Sequence, residues 1–311
     1  MIKQVKFIWK NGELILWNEA KIHILSHSLH YGSGVMEGLR LRNTLHGPAI
    51  FKLQEHINRL YKSAAALHMD IPFSKKILEN AVINLIKANK ITNGYIRPIT
   101  YYSYGSMSLN PIGSPVEVAI ACWPWGKYLG NQSLNLKTSN YIRIHPRSTI
   151  TNAKICGNYI NSVLATLEIA NTKYDEVLFL DFDGNITEGA GENIFIAKNN
   201  IIYTPFSKNI FPGITRQTVF DILNNSNFIL QEKNLNLDDV YTADEVFLTG
   251  TAIEIAPVNS VDDILIANGK AGEITRFVLD TYTKMCMGKN EKTKQNLTFI
   301  NGEINHDHKK F

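Results

Sequence analysis

The sequence predicts an α+β protein of two domains, and three observations carry that expectation. The chain opens on VKFIWKNGELILW, where apolar and polar residues alternate on both sides of Asn11 and Gly12, the pair that favours a tight hairpin turn. Each half then mixes helical patterns with strand patterns. Between the halves, WPWGKYLGNQS at residues 123–133 gathers proline, glycines and large aromatics where neither period continues. The division expected is therefore a small N-terminal domain over 1–122, a linking loop over 123–133, a larger domain over 134–288 and a polar extension over 289–311.

The elements follow in order. After the hairpin, Leu53 to Met69 and Ser74 to Asn89 read as helices, the second presenting Ile77, Leu78, Ala81, Val82, Leu85 and Ile86 on one face. Strands resume at GYIRPITYYS and VEVAIACW. The second half reads as a helix after Lys154, then strands EVLFL, ITEGAGENIFIA and NIIYTP. A helix from Ile214, strands FILQEK and EVFLTG, and a last helix from about Lys270 complete it. The segment after Gly288 is charged with scattered apolar residues and reads as loosely held.

Composition narrows the function classes. Of 311 residues 44% are hydrophobic, enough for a sizeable core. The 32 basic and 28 acidic residues leave a formal charge of +4, with no arginine-rich face or aromatic–basic repeat, so nucleic acid is not an expected partner. No apolar run approaches the ~18 residues of a membrane span, and the lysines of MIKQVKFIWK break any signal-peptide core. Cys122, Cys156 and Cys286 are far apart and odd in number, which argues against a disulfide framework or a CxxC site and favours a reducing cytoplasm.

Two charged residues stand in unusual company. Lys154, in TNAKICGNYINS, lies among small residues at a helix entrance; desolvation there would favour the neutral amine that attacks a carbonyl, although most lysines in such places are solvated. Glu188, in TEGAGENIF, is flanked by Gly189, Ala190 and Gly191, which admit a planar ring close to the backbone. A carboxylate so placed can keep a pyridine nitrogen protonated and make the ring an electron sink; the plainer reading is a glycine bulge with two exposed acids. Glu192 reads as a structural partner. A phosphate-bearing ring also needs an anion site, for which FPGITRQTVFDIL offers the amides of Ile214 and Thr215 at a helix start, TGTAIEIAPV offers Thr251, and the helix LQEHINRLYKSA offers Arg59.

Taken together, HSLHYGSGVMEGLR, EHINRL, GYIRP, AKICGNYINS, TEGAGENIF, PGITR and TGTAIEIAPV, in that order, closely resemble branched-chain amino acid aminotransferases, fold type IV enzymes of pyridoxal 5'-phosphate. The resemblance implies reversible transamination of leucine, isoleucine and valine with 2-oxoglutarate. It implies that Lys154 is the Schiff-base lysine and general base, that Glu188 pairs with the pyridine nitrogen, and that Tyr159 bonds the ring's phenolic oxygen. Phosphate contacts are implied from Arg59, Ile214, Thr215 and Thr251. Around the substrate it implies Tyr31, Met36, Gly38, Tyr95, Arg97, Leu109, Tyr128 and Tyr159, with Thr251 and Ala252 at the α-carboxylate. Some of these come from a neighbouring subunit, so a homodimer or higher homo-oligomer is implied. Met36 departs from the phenylalanine of many relatives, and methionine makes a more adaptable wall.

Other classes fit less well. D-amino acid aminotransferases and aminodeoxychorismate lyase share this resemblance, but YGSGVMEGLR followed by GYIRP favours the branched-chain group. A dinucleotide oxidoreductase needs GxGxxG between strand and helix, and GAGENI lacks the third glycine. His27 and His30 have no third ligand at sensible spacing, so no metal is expected. A noncatalytic binding protein would have no use for Lys154 paired with Glu188.

Overall fold

A computed structural model describes residues 2–126, 133–206 and 210–301 of the chain. The opening hairpin pairs Phe7–Lys10 with Glu13–Leu16, and Asn11 and Gly12 at its tip both take positive φ, as the turn demands. These strands form one edge of an antiparallel sheet that runs inward through Val116–Trp123 and Gly94–Tyr102 to Leu39–Thr44 and Gly47–Phe51. The helices Leu53–Ala65 and Lys75–Asn89 cover one face. Ser74 caps the second helix by accepting the Ile77 amide at 3.3 Å, and Leu78, Val82, Leu85 and Ile86 are buried. Ile77 is exposed instead, and the first helix stops at Ala65 rather than Met69.

The second sheet is mixed but mostly antiparallel. Glu176–Leu180, Leu134–Thr138, Glu254–Val261, Glu245–Gly250 and Asn193–Lys198 follow one another across it. Ile186–Gly189 pairs with both Glu176–Leu180 and Asn193–Lys198, so these strands close on themselves. ITEGAGENIFIA is therefore two antiparallel strands, not one, with Glu188 opposite Asn193 across the narrow end. The helices Ile214–Asn224 and Glu273–Cys286 pack on this sheet through Val219, Val278, Phe195 and Phe247.

In the segment after Gly288, the residues up to 301 depart from the expectation of a loose tail, and residues 302–311 lie outside the described residues. Residues Leu297–Phe299 form an antiparallel strand against Gly47–Phe51 at the far edge of the first sheet, and Leu297 and Ile300 are buried. Among the described residues, no helix is long and apolar enough to cross a membrane.

Lys154 lies where the two sheets meet. Its amide donates to Ser63 Oγ at 2.9 Å, its carbonyl accepts the Met36 amide at 3.0 Å, and Ile155 bridges to Val35. A 3-10 turn, Cys156–Asn158, then leads into the helix Tyr159–Glu168.

Candidate active site

One cavity between the sheets is lined by Lys154, Tyr159 and Glu188, by Arg59, Ile214, Thr215 and Thr251, and by Gly38, Tyr95 and Ala252. These ten residues, scattered from position 38 to position 252, include all those singled out for cofactor contact. Lys154 Nζ donates to the Tyr159 hydroxyl at 2.5 Å and lies 4.6 Å from the centre of the Phe211 ring. Ala190 and Gly191 also line the cavity, whereas Gly189 lies against the Glu192 carboxylate.

Glu188 is buried at the end of its strand, and each donor around it comes from a different stretch of the chain. The Arg143 guanidinium donates to Oε1, while the Asn193 amide at 3.0 Å and the Phe211 backbone N–H at 2.9 Å donate to Oε2. Burial pushes the carboxyl above its ordinary pKa, and Arg143 opposes that push without cancelling it. A carboxylate oxygen has two lone pairs, so Oε1 retains capacity for one further donor.

Glu192 belongs to a buried acid pair with Glu176. Its Oε2 accepts the Gly191 amide at 2.9 Å, and its carboxyl hydrogen-bonds that of Glu176. Burial, reinforced by the Glu176 charge, raises the Glu192 pKa well above the usual carboxylate range; burial raises Glu176 too. Two acids so close cannot both ionise readily, so they share a proton.

Also at the cavity, the helix Ile214–Asn224 begins after Gly213 with no side chain capping it. Its first amides lack intrahelical acceptors, and the helix dipole adds partial positive charge there. The Arg59 guanidinium is close by, donating through Nη1 to the Pro212 carbonyl at 3.1 Å. Thr249 Oγ1, also in the cavity lining, is buried without a hydrogen-bond partner. An orphaned hydroxyl beside an uncapped helix start fits an anionic group, and an amine and a carboxylate elsewhere in the lining fit an aldehyde-bearing pyridine. The residues present therefore fit pyridoxal 5'-phosphate.

The substrate set divides. Gly38 and Tyr95 line the cavity and touch: a Cβ at residue 38 would overlap the Tyr95 hydroxyl, so only glycine admits that ring. Met36 and Arg97 stand outside this lining, on adjacent strands, with Arg97 Nη1 2.6 Å from Met36 Sδ and the guanidinium 5.4 Å from the Tyr95 ring centre. Tyr31 and Leu109 are exposed and away from the cavity, Tyr31 donating to the Met107 carbonyl at 3.3 Å. Tyr128 lies outside the described residues. His27 and His30 engage Ser33, the Ser108 carbonyl and the Ile24 carbonyl.

Sequence reasoning missed Arg143, Phe211 and the acid pair. Arg143 carried no signal, being one arginine in an aperiodic stretch. Glu37 carried one that went unused: an acid between apolar and glycine residues just before a strand must find partners if it is buried.

The fold and cavity define an aminotransferase of the pyridoxal phosphate type. The amino-transferase class IV family model matches residues 34–261, and the chain belongs to that family. Within it the chain falls among the branched-chain-amino-acid aminotransferases. It is 42% identical to the enzyme of that name from Pseudomonas aeruginosa, over 91% of this chain and 94% of that one. To the Escherichia coli K12 enzyme it is 38% identical, over 93% and 96%. The crystal structure of the T.th. branched-chain amino acid aminotransferase complexed with N-(5'-phosphopyridoxyl)-L-glutamate matches with a TM-score of 0.93 at 38% identity, over 97% of this chain and 100% of that one. The same enzyme complexed with 4-methylvaleric acid matches at 37% identity with the same TM-score and the same coverage.

Proposed function

We propose that this chain transfers the amino group of leucine, isoleucine or valine to 2-oxoglutarate, using pyridoxal 5'-phosphate. The observation that carries the reading is the convergence on one cavity of Lys154, the Glu188–Arg143 pair and the uncapped helix start. When bound, the cofactor supplies an aldehyde to take up the amino group and a pyridinium ring to withdraw electrons from the substrate's Cα.

The chain's own groups do the rest. Lys154 Nζ would hold the cofactor through its aldehyde and is placed to move the proton at the substrate's Cα, with the Tyr159 hydroxyl keeping it oriented. Glu188 would hold the proton on the ring nitrogen, with Arg143 and Asn193 fixing the carboxylate. The amides of Ile214 and Thr215, with Arg59 and Thr251, hold the phosphate. Thr251 and Ala252 meet the α-carboxylate.

The pocket must take both an apolar side chain and a second carboxylate. The T.th. relative carries a glutamate adduct in one structure and 4-methylvaleric acid, with leucine's branching, in another. In this chain Tyr95 and Tyr159 supply apolar wall from the lining, while Arg97, packed over Tyr95 with Met36 beside it, meets the distal carboxylate from the rim. Tyr31 and Leu109, exposed in one copy, reach the site of a neighbouring copy in a homodimer. The free cysteines Cys122, Cys156 and Cys286 suit a reducing cytoplasm.

The test is the half-reaction. Leucine added to the cofactor-loaded protein should abolish the imine absorbance and release 4-methyl-2-oxopentanoate, and 2-oxoglutarate should restore the band. Activity confined to D-amino acids, or lyase chemistry without a returned amine, would refute the assignment.

A further inference from the structure

Glu37 stands between Met36 and Gly38, yet its carboxylate serves Arg59, which lines the cavity. It is fully buried and accepts four hydrogen bonds: Arg59 Nε at 2.5 Å, Arg59 Nη2 at 2.9 Å, His56 Nδ1 at 2.7 Å and the Gly38 amide at 3.1 Å. His56 and Arg59 are three residues apart, hence on one face of the helix Leu53–Ala65. Burial alone would raise the Glu37 carboxyl, but Arg59 and then His56 outweigh it and keep it ionised. Burial lowers the His56 pKa, which leaves the ring neutral and donating through Nδ1.

The Arg59 guanidinium is thereby held on three sides. Glu37 takes its Nε–Nη2 edge, the Pro212 carbonyl takes one Nη1 hydrogen, and the Phe211 ring lies 4.7 Å from its carbon. An arginine has five N–H groups in a fixed fork, so those left over belong to the Nη1–Nη2 end. Arg59 lines the cavity with Gly213, Ile214 and Thr215, the start of the uncapped helix. The pair has no net charge, which avoids an uncompensated buried cation, and the guanidinium is ordered before any anion arrives.

We propose that Glu37 is a positioning residue for the cofactor's phosphate, acting through Arg59 to hold the guanidinium end at the start of the helix Ile214–Asn224. The inference rests on the pyridoxal phosphate reading above and adds to it a residue that touches neither cofactor nor substrate. Because the effect runs through Arg59, it is confined to the phosphate. The contacts of Lys154 and Glu188 to the ring end are untouched. A Glu37 that merely ties strand to helix would instead affect every ligand of the cavity alike.

Full-length protein freed of cofactor is titrated with pyridoxal 5'-phosphate and, separately, with pyridoxal, which lacks the phosphate; imine absorbance gives both dissociation constants. Glu37→Gln should weaken pyridoxal phosphate about tenfold or more, the scale of one charge-assisted hydrogen bond, and leave pyridoxal within about twofold. Equal weakening of both, or none, overturns the proposal. Should that variant fail to fold, Glu37→Asp keeps the charge and withdraws the acceptor by one methylene. The same phosphate-selective loss is expected there, and wild-type affinity for pyridoxal phosphate overturns the proposal. In an Arg59→Met background, Glu37→Gln should cause no further phosphate-selective loss, and a further loss excludes the route through Arg59. A wild-type chain that binds neither compound overturns the cofactor reading itself, a result separate from any difference among the variants.

Discussion

At Glu188 three donors from three separate stretches of the chain meet one carboxylate whose burial raises its pKa. Replacing it by glutamine keeps the size but removes the charge that holds a proton on the ring. Glu188→Gln should slow Cα proton abstraction in single turnover by about a hundredfold or more, the scale of a charge-assisted contact made to the reacting system, while leaving the far-ultraviolet circular dichroism unchanged. Glu192 behaves differently because it shares a proton with Glu176. Its folded pKa is raised, so the native state binds protons more tightly than the unfolded chain. That stability is present at low pH and fades as pH rises through the folded value. Glu192→Gln keeps a donor toward Glu176 without a proton to lose. The wild type should therefore lose more thermal stability than the variant as pH rises above the usual carboxylate range, and parallel melting profiles would show that the pair does not titrate there. For Arg97 the contrast is between substrates: Arg97→Ala should raise the KM for 2-oxoglutarate about tenfold or more while shifting that for 4-methyl-2-oxopentanoate little, and equal losses would make it a structural support.

Among the elements, the paired strands Ile186–Gly189 and Asn193–Lys198 and the helix Ile214–Asn224 each supply residues to the site. They are clamped to each other at Asn193, whose side chain donates to both Glu188 and the Phe211 carbonyl. A Cβ on Gly213 would overlap Asn193 Oδ1, so Gly213→Ala must displace either the helix start or the Glu188 partner. It should weaken pyridoxal phosphate binding about tenfold, measured by equilibrium titration, and unchanged affinity would show the contact to be slack. Much of this was legible beforehand. The hairpin at Asn11–Gly12 and the helix capped by Ser74 follow from local pattern, and Lys154, Glu188 and Ile214 stood out for their glycine-rich or helix-starting surroundings. The turn inside TEGAGENIF did not, since Ala190, Gly191 and Glu192 join two apolar runs too briefly to interrupt the strand pattern. Arg143 was hidden for a different reason: its role depends on a contact 45 residues away that no local period encodes.

Over the whole molecule, the chain returns at its end to the sheet where it began. The strand Leu297–Phe299 extends the first sheet and buries Leu297 and Ile300, while the Asn296 carbonyl accepts the Lys52 amide at 2.7 Å, just before the helix that carries His56 and Arg59. Removing residues 289–311 strips two buried aliphatic side chains and a row of ladder bonds, a loss of about 3 kcal/mol or more. The truncated protein should melt several degrees lower in a thermal scan, and an unchanged midpoint would mark the segment as dispensable. The larger claim is that both sheets, brought together at residue 154, make one site in which a single lysine holds the cofactor. Borohydride reduction of the pyridoxal phosphate-loaded protein, followed by peptide mapping, tests it most directly. A phosphopyridoxyl group on Lys154, absent after Lys154→Ala, is the expected result; a stable adduct on another lysine, or none at all, would contradict it.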